Sequence, residues 1–126
     1  MSRFLGCGMG LLLAATAGFG HHSPALYDLV HGTRIGGVVT RFAWENPHAF
    51  LYVDVRREND SVEHWSVEME SAARLRRLGW TQDTVKAGDR VTVAGGRARD
   101  NSYRMRAEWV QLPDGRKLSS QILARY

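Results

Sequence analysis

The stretch Val62–Trp80 reads VEHWSVEMESAARLRRLGW, and its period changes part-way along. From Val62 to Glu70 the pattern alternates. Trp65, Val67 and Met69 share one face, while His64, Ser66, Glu68 and Glu70 share the other. Strand side chains point to opposite faces with period two, so this is a half-buried strand with the first set inward and the second outward. At Ser71 the pattern switches. A serine hydroxyl can accept from an unpaired N–H of a first helical turn, which makes Ser71 a good N-cap. Ala72 to Leu78 has helical composition. Leu75 and Leu78 form its apolar side, and Arg74, Arg76 and Arg77 its wet side. Gly79 stops the helix, and Trp80 is expected to plug the core just beyond it.

Upstream, Ala49 to Arg57 is a second alternating strand. Leu51, Val53 and Val55 face one side, and Phe50, Tyr52 and Asp54 the other. Glu58–Ser61 is a polar four-residue hairpin loop joining it to Val62. Before it, Arg34 to Glu45 reads as a strand with Val38, Phe42 and Trp44 at even spacing and Ile35 and Val39 on the other face. Gly36-Gly37 marks a bend or bulge, and Asn46-Pro47 a turn. Downstream, Val85–Arg90 turns into a strand, Val91–Ala94, followed by a loop from Gly95 to Asn101. Ser102 to Leu112 is the last long strand, with Tyr103, Met105, Ala107 and Trp109 on one face. Pro113–Arg116 is a tight turn, and Lys117–Tyr126 a short extra element.

The order is strand, strand, strand, short helix, strand, strand. This predicts an all-β domain with one short helix: a small five-stranded Greek-key barrel of the oligonucleotide/oligosaccharide-binding type over residues 34–126. An open sheet with a helix across one end is the competing arrangement. Trp44, Trp65, Trp80 and Trp109 are assigned to the core rather than to a ligand pocket.

The first twenty residues read as an address. Arg3 gives a short positive region, and Leu5 to Ala17 an apolar core too short for a membrane span of ~20 residues. Ala15-Thr16-Ala17 and Gly18-Phe19-Gly20 both have the small-x-small form of a cleavage site. Cleavage after Gly20 is preferred, and cleavage after Ala17 is the alternative. The expectation is a secretory signal peptide (1–20), export to the periplasm and no stable membrane anchor afterwards. Phe4-Leu5-Gly6-Cys7 precedes the apolar core, so it is not read as a lipidation box. Residues 21–33 follow as an extended N-terminal arm pinned by Leu26, Tyr27, Leu29 and Val30.

Composition agrees with one globular domain: 126 residues, 44% hydrophobic and 24% charged. Cys7 is the only cysteine, so a chain starting at His21 has no disulfide, thiolate nucleophile or thiolate metal site. The net charge of +4 is mild, and fifteen of 17 basic residues are Arg. It permits an anionic partner without demanding one. Export argues against nucleic acid.

Several pieces resemble a family of uncharacterised small exported bacterial proteins with an Asn-Pro-His signature. They are His21-His22-Ser23, Trp44-Glu45-Asn46-Pro47-His48, Trp65-Ser66-Val67-Glu68, Leu78-Gly79-Trp80, Lys86–Val91 and Leu112–Arg116. The resemblance implies export, one domain and a barrel-like β fold. It transfers no activity.

The histidines are the first place for chemistry. A mature N-terminal His21 offers its α-amine and Nδ1 to one metal ion, and a second imidazole completes the three-nitrogen arrangement that copper prefers over zinc. His48 is the best third donor, because it starts a strand after a rigid turn. His22 is the next candidate, with His31 and His64 behind it. Such a site weakens as pH falls through the imidazole range near ~6.5. The second place is the basic set Arg97, Arg99, Arg104 and Arg106 with Tyr103, which would suit a periplasmic protein or an anionic glycan. Glu68 and Glu70 share a strand face, but no cleft or pKa split between them is visible in the sequence. No nucleophile elbow, phosphate loop or His-Glu-x-x-His is present. Binding without catalysis is therefore expected, with no catalytic residue assigned and copper as the one cofactor in view.

Overall fold

A computed structural model of the chain describes residues 26–121. Its elements run β1 (Tyr27–Ala43), β2 (Phe50–Arg56), β3 (Val62–Glu68), α1 (Ala72–Arg77), β4 (Arg90–Ala98), β5 (Arg104–Gln111) and β6 (Lys117–Ser119). The expected signal segment, both cleavage sites, His21 and His22 lie outside the described residues.

The strands close into a ring. β1, β2 and β3 form an antiparallel meander, β4 pairs with the other edge of β1, and β5 pairs with β4. β5 then lies parallel to β3, with Val67 opposite Met105, and this pairing shuts the ring. β6 continues from β5 outside it. The circular order β1-β2-β3-β5-β4, with the helix between the third and fourth strands, is the order expected of the oligonucleotide/oligosaccharide-binding-like class. The open-sheet alternative is set aside by the β3–β5 pairing.

The interior follows the alternation of the sequence. Leu51, Val53 and Val55 of β2 meet Trp65 and Val67 of β3, Val91 and Val93 of β4, and Met105 and Ala107 of β5, all buried. Met69, just past β3, is also buried. Ser71 caps α1 by accepting from the Arg74 N–H at 3.2 Å. Gly79 follows the helix at φ +92°, a conformation glycine adopts without a Cβ penalty. Leu75 is buried, and Trp80 closes the end of the core while donating its indole N–H to the Ser119 carbonyl at 2.8 Å.

Four local expectations need correction. The described part of the segment read as an arm is strand from Tyr27 onward, and the first half of β1 pairs with β4. Of the four apolar residues expected to pin it, only Tyr27 is buried; Leu26, Leu29 and Val30 are exposed. The bulge in β1 falls at Thr40, between the pairs Val39–Val53 and Arg41–Tyr52, rather than at Gly36-Gly37. This shift turns Phe42 toward the core, where it packs on Trp80.

The segment Gly95–Ala98, read as loop, continues β4. Its glycines are there because neighbouring backbone comes close. A Cβ on Gly95 would overlap the Arg106 carbonyl, and one on Gly96 the Asp28 carbonyl. Finally, Ala94 pairs with Trp109 and Gly95 with Ala107, so Glu108 is an extra residue in β5. The alternation flips there. Val110 takes the buried position, and Trp109 turns outward between Arg34 and Lys117, whose cationic groups lie 5.2 and 4.4 Å from its ring.

Candidate functional site

Outside the ring, strand register builds three cross-strand rows on β3. His64 pairs with Asp54 of β2, Ser66 with Tyr52, and Glu68 with Phe50. On the other side, Arg104 of β5 lies beside Ser66 and Arg106 beside Glu68. Arg104 and Arg106 thus share a face, as their spacing implied.

Glu68 and Glu70, expected to face outward, are nevertheless buried, at 2% and 7% exposure. Their direction is as the alternation requires, but Tyr27, His48 and Arg106 roof over Glu68. The Tyr27 hydroxyl donates to Glu68 Oε2 at 2.6 Å. Glu68 Oε1 has His48 Nδ1 and Arg106 Nη1 each at 3.5 Å, and no hydrogen bond within the described residues. Arg106 also reaches Glu70 Oε1 at 3.3 Å, and Arg74 reaches Glu70 Oε2 at 3.4 Å. Two carboxylates and the Arg106 guanidinium therefore form one largely enclosed network, the setting in which unpairing a charge is most costly. Burial, then the adjoining Glu68 carboxylate, push the Tyr27 phenol far up, so it stays a neutral donor.

His48 is held by a stitched loop. Its own strand start is fixed by Ala49 N–H donating to the Glu70 carbonyl and Met69 N–H to the Ala49 carbonyl, both at 3.0 Å. The Asn46 side chain accepts from Ala73 at the start of α1, and the Asn46-Pro47 peptide is cis. His48 Nδ1 lies 3.1 Å from the Met69 carbonyl. A carbonyl can only accept, so Nδ1 carries the proton; in a neutral ring this is the Nδ1–H tautomer. That tautomer, steadied by a carbonyl and a nearby carboxylate, is the usual arrangement behind a metal-ligating histidine.

The other histidines sit elsewhere. His31 pairs with Asp28 at 2.9 Å, and His64 with Asp54 at 2.6 Å. Asp28 also accepts from the backbone N–H groups of Val30 and His31. The His31 backbone and ring are the largest influences, and the Asp28 carboxyl is drawn down to about 2. Among the described residues, no three His, Asp or Glu side chains converge as a metal cluster.

The arginines of the second expected site are mostly engaged. Arg97 donates to the carbonyls of Asn101 and Ser102 and lies over the rings of Trp65 and Tyr103. Arg104 donates to Asp100 at 2.9 Å and to the Ser102 hydroxyl. Arg106 is held as described. Arg99 is exposed, with no side-chain partner among the described residues. Tyr103 is 45% exposed and tilts against Trp65.

Tyr27 is the member of this network that sequence reasoning missed, having been read only as an apolar pin. A buried tyrosine needs a partner for its hydroxyl, and an outward glutamate two strands away was the signal for one.

Fold and site define a small β domain: a five-stranded ring with one short helix and a buried carboxylate network under one end. The chain belongs to a family of unknown function, DUF6152, whose sequence model matches residues 10–106. No curated protein matches it.

Proposed function

We propose that this chain is exported to the periplasm and binds a transition metal, copper before zinc, through a mature N-terminal His21 and His48. The observation that carries this is the setting of His48: its Nδ1–H is donated to the Met69 carbonyl beside the buried Glu68. The ring is thereby fixed in the tautomer whose Nε2 ligates. A second observation supports the pairing. Tyr27 stands on the same Glu68 carboxylate, so the N-terminal segment is rooted next to His48. Six residue steps lead back from Tyr27 to His21, a reach of roughly 20 Å when extended, which lets His21 be paired with His48. His22 is a further candidate nitrogen donor.

The rival module, an arginine face for a protein or anionic glycan, is less well supported. Three of its four arginines already hold intramolecular acceptors. Binding rather than catalysis fits Glu68 and Glu70, whose carboxylates are committed to Tyr27, Arg106 and Arg74. Nucleic acid is not a proposed partner, because an exported protein does not meet it.

The test is to purify the untagged protein from the periplasm, determine its intact mass, and titrate it with Cu(II) and Zn(II) by calorimetry. A mass beginning at His21 and stoichiometric copper binding, lost in His48→Ala and on adding one residue before His21, are expected. Binding no tighter than that of a free His-His peptide would overturn the reading.

A further inference from the structure

A shallow hollow of about 360 Å³ lies on the outer face of β1, β2 and β3, lined by Thr40, Arg41, Tyr52, Asp54, His64, Trp65 and Ser66. The alternation alone gives this face no role beyond pointing outward. Three features make it more than that.

Its floor is aromatic. Phe50 and Tyr52, two apart on β2, lie nearly parallel at 26° with centroids 6.4 Å apart. Of the two, Tyr52 lines the hollow and Phe50 lies beside it, and both are half-buried. The β1 bulge at Thr40 brings Arg41 across, and its guanidinium lies over the Tyr52 ring, 5.6 Å from the centroid.

Its rim is polar and oriented. Asp54 Oδ1 is fixed by His64 Nδ1 at 2.6 Å. Among the described residues, Asp54 Oδ2, the Ser66 hydroxyl and the Tyr52 hydroxyl have no hydrogen-bond partner. One carboxylate oxygen and two hydroxyls on residues that line the hollow are therefore left for a ligand.

Its charge is balanced. Arg41 has Glu45 at 3.8 Å, Arg104 has Asp100, and Arg106 has Glu68 and Glu70. An anion arriving here would find each cation already matched and the Asp54 carboxylate opposing it. A ligand that stacks an apolar face on a ring while offering hydroxyls to a carboxylate meets no such penalty. We infer that this hollow binds a neutral saccharide, with the C–H face of one sugar ring on Tyr52 and its hydroxyls donated to Asp54. The site is independent of the proposed metal pair and uses neither His21 nor His48.

The experiment is an amide chemical-shift titration of the full chain with neutral trisaccharides of glucose and of N-acetylglucosamine. The trimer of galacturonate is the anionic comparison. The expected result is saturable shifts at Tyr52, Asp54, His64 and Ser66 with a neutral trisaccharide, in the millimolar range of a shallow single site. Affinity should fall at least tenfold in Tyr52→Ala and in Asp54→Ala. Tyr52→Phe, which keeps the ring, should retain most of it, so a folding defect in the alanine variant would not mask the answer. Three outcomes would overturn the inference: no shift with either neutral sugar, shifts that map elsewhere, or the galacturonate trimer binding here as tightly as the neutral ones.

Discussion

One hydrogen bond, from Tyr27 to Glu68, ties the start of β1 to the end of β3. The phenol donates to a carboxylate that is 2% exposed, and the same carboxylate faces His48 and Arg106. Removing the donor leaves a buried carboxylate short of its best partner. Tyr27→Phe is expected to destabilise the protein by about 1.5–3 kcal/mol, the usual worth of a hydrogen bond to a charged group, as read by urea unfolding. The sign of the pH effect follows from the raised phenol. Its contribution is whole below the ordinary tyrosine value of 10.0 and is lost only as pH rises beyond it. Asp28 behaves in the opposite sense. Its carboxyl is held near 2 against an ordinary 3.8, so its contribution is present above 3.8 and fades as pH falls through about 2. An NMR titration should place its midpoint there. His31→Ala should raise it by removing the ring contact, while the backbone donors remain.

At the scale of elements, the parts legible in the sequence were those set by local chemistry. The alternation of β2 and β3, the Ser71 cap, the Gly79 stop and the Trp80 plug all follow from neighbouring residues, and each is found in the structure. What was not legible depends on distant chain. Gly95-Gly96 looks like a loop until β5 and the start of β1 come close to it. The extra residue Glu108 reverses the face of Trp109, and nothing in the strand's own pattern announces it. Glu68 points outward as the alternation says, yet three other segments cover it. In the candidate site, His48 could be singled out from the Asn-Pro-His turn, whereas its partners Met69 and Glu68 are brought to it only by the fold. Two predictions belong here. Gly95→Ala must push the Arg106 backbone away, and about 3 kcal/mol of destabilisation is expected, the upper end of the usual cost of overpacking. Ser71→Ala should cost about 1 kcal/mol, the ordinary worth of a helix cap. Thermal unfolding of the two variants side by side would check both magnitudes and their order.

For the whole molecule, closure of the ring by the parallel β3–β5 pairing decides where function can sit. It packs the interior with Val, Leu, Met and Trp side chains and leaves the chemistry to the outside of β3 and to the loop before β2. The N-terminal segment enters beside that same end, because Tyr27 is anchored on Glu68. The metal reading is therefore a claim about the assembled molecule, since His21 and His48 are distant in sequence and meet only if the fold returns one to the other. Electron paramagnetic resonance of the one-to-one Cu(II) complex tests this most directly, comparing the natively processed protein with His48→Ala. The account predicts a three-nitrogen signature in the native protein that loses one imidazole nitrogen in the variant. Identical spectra from the two proteins would contradict it.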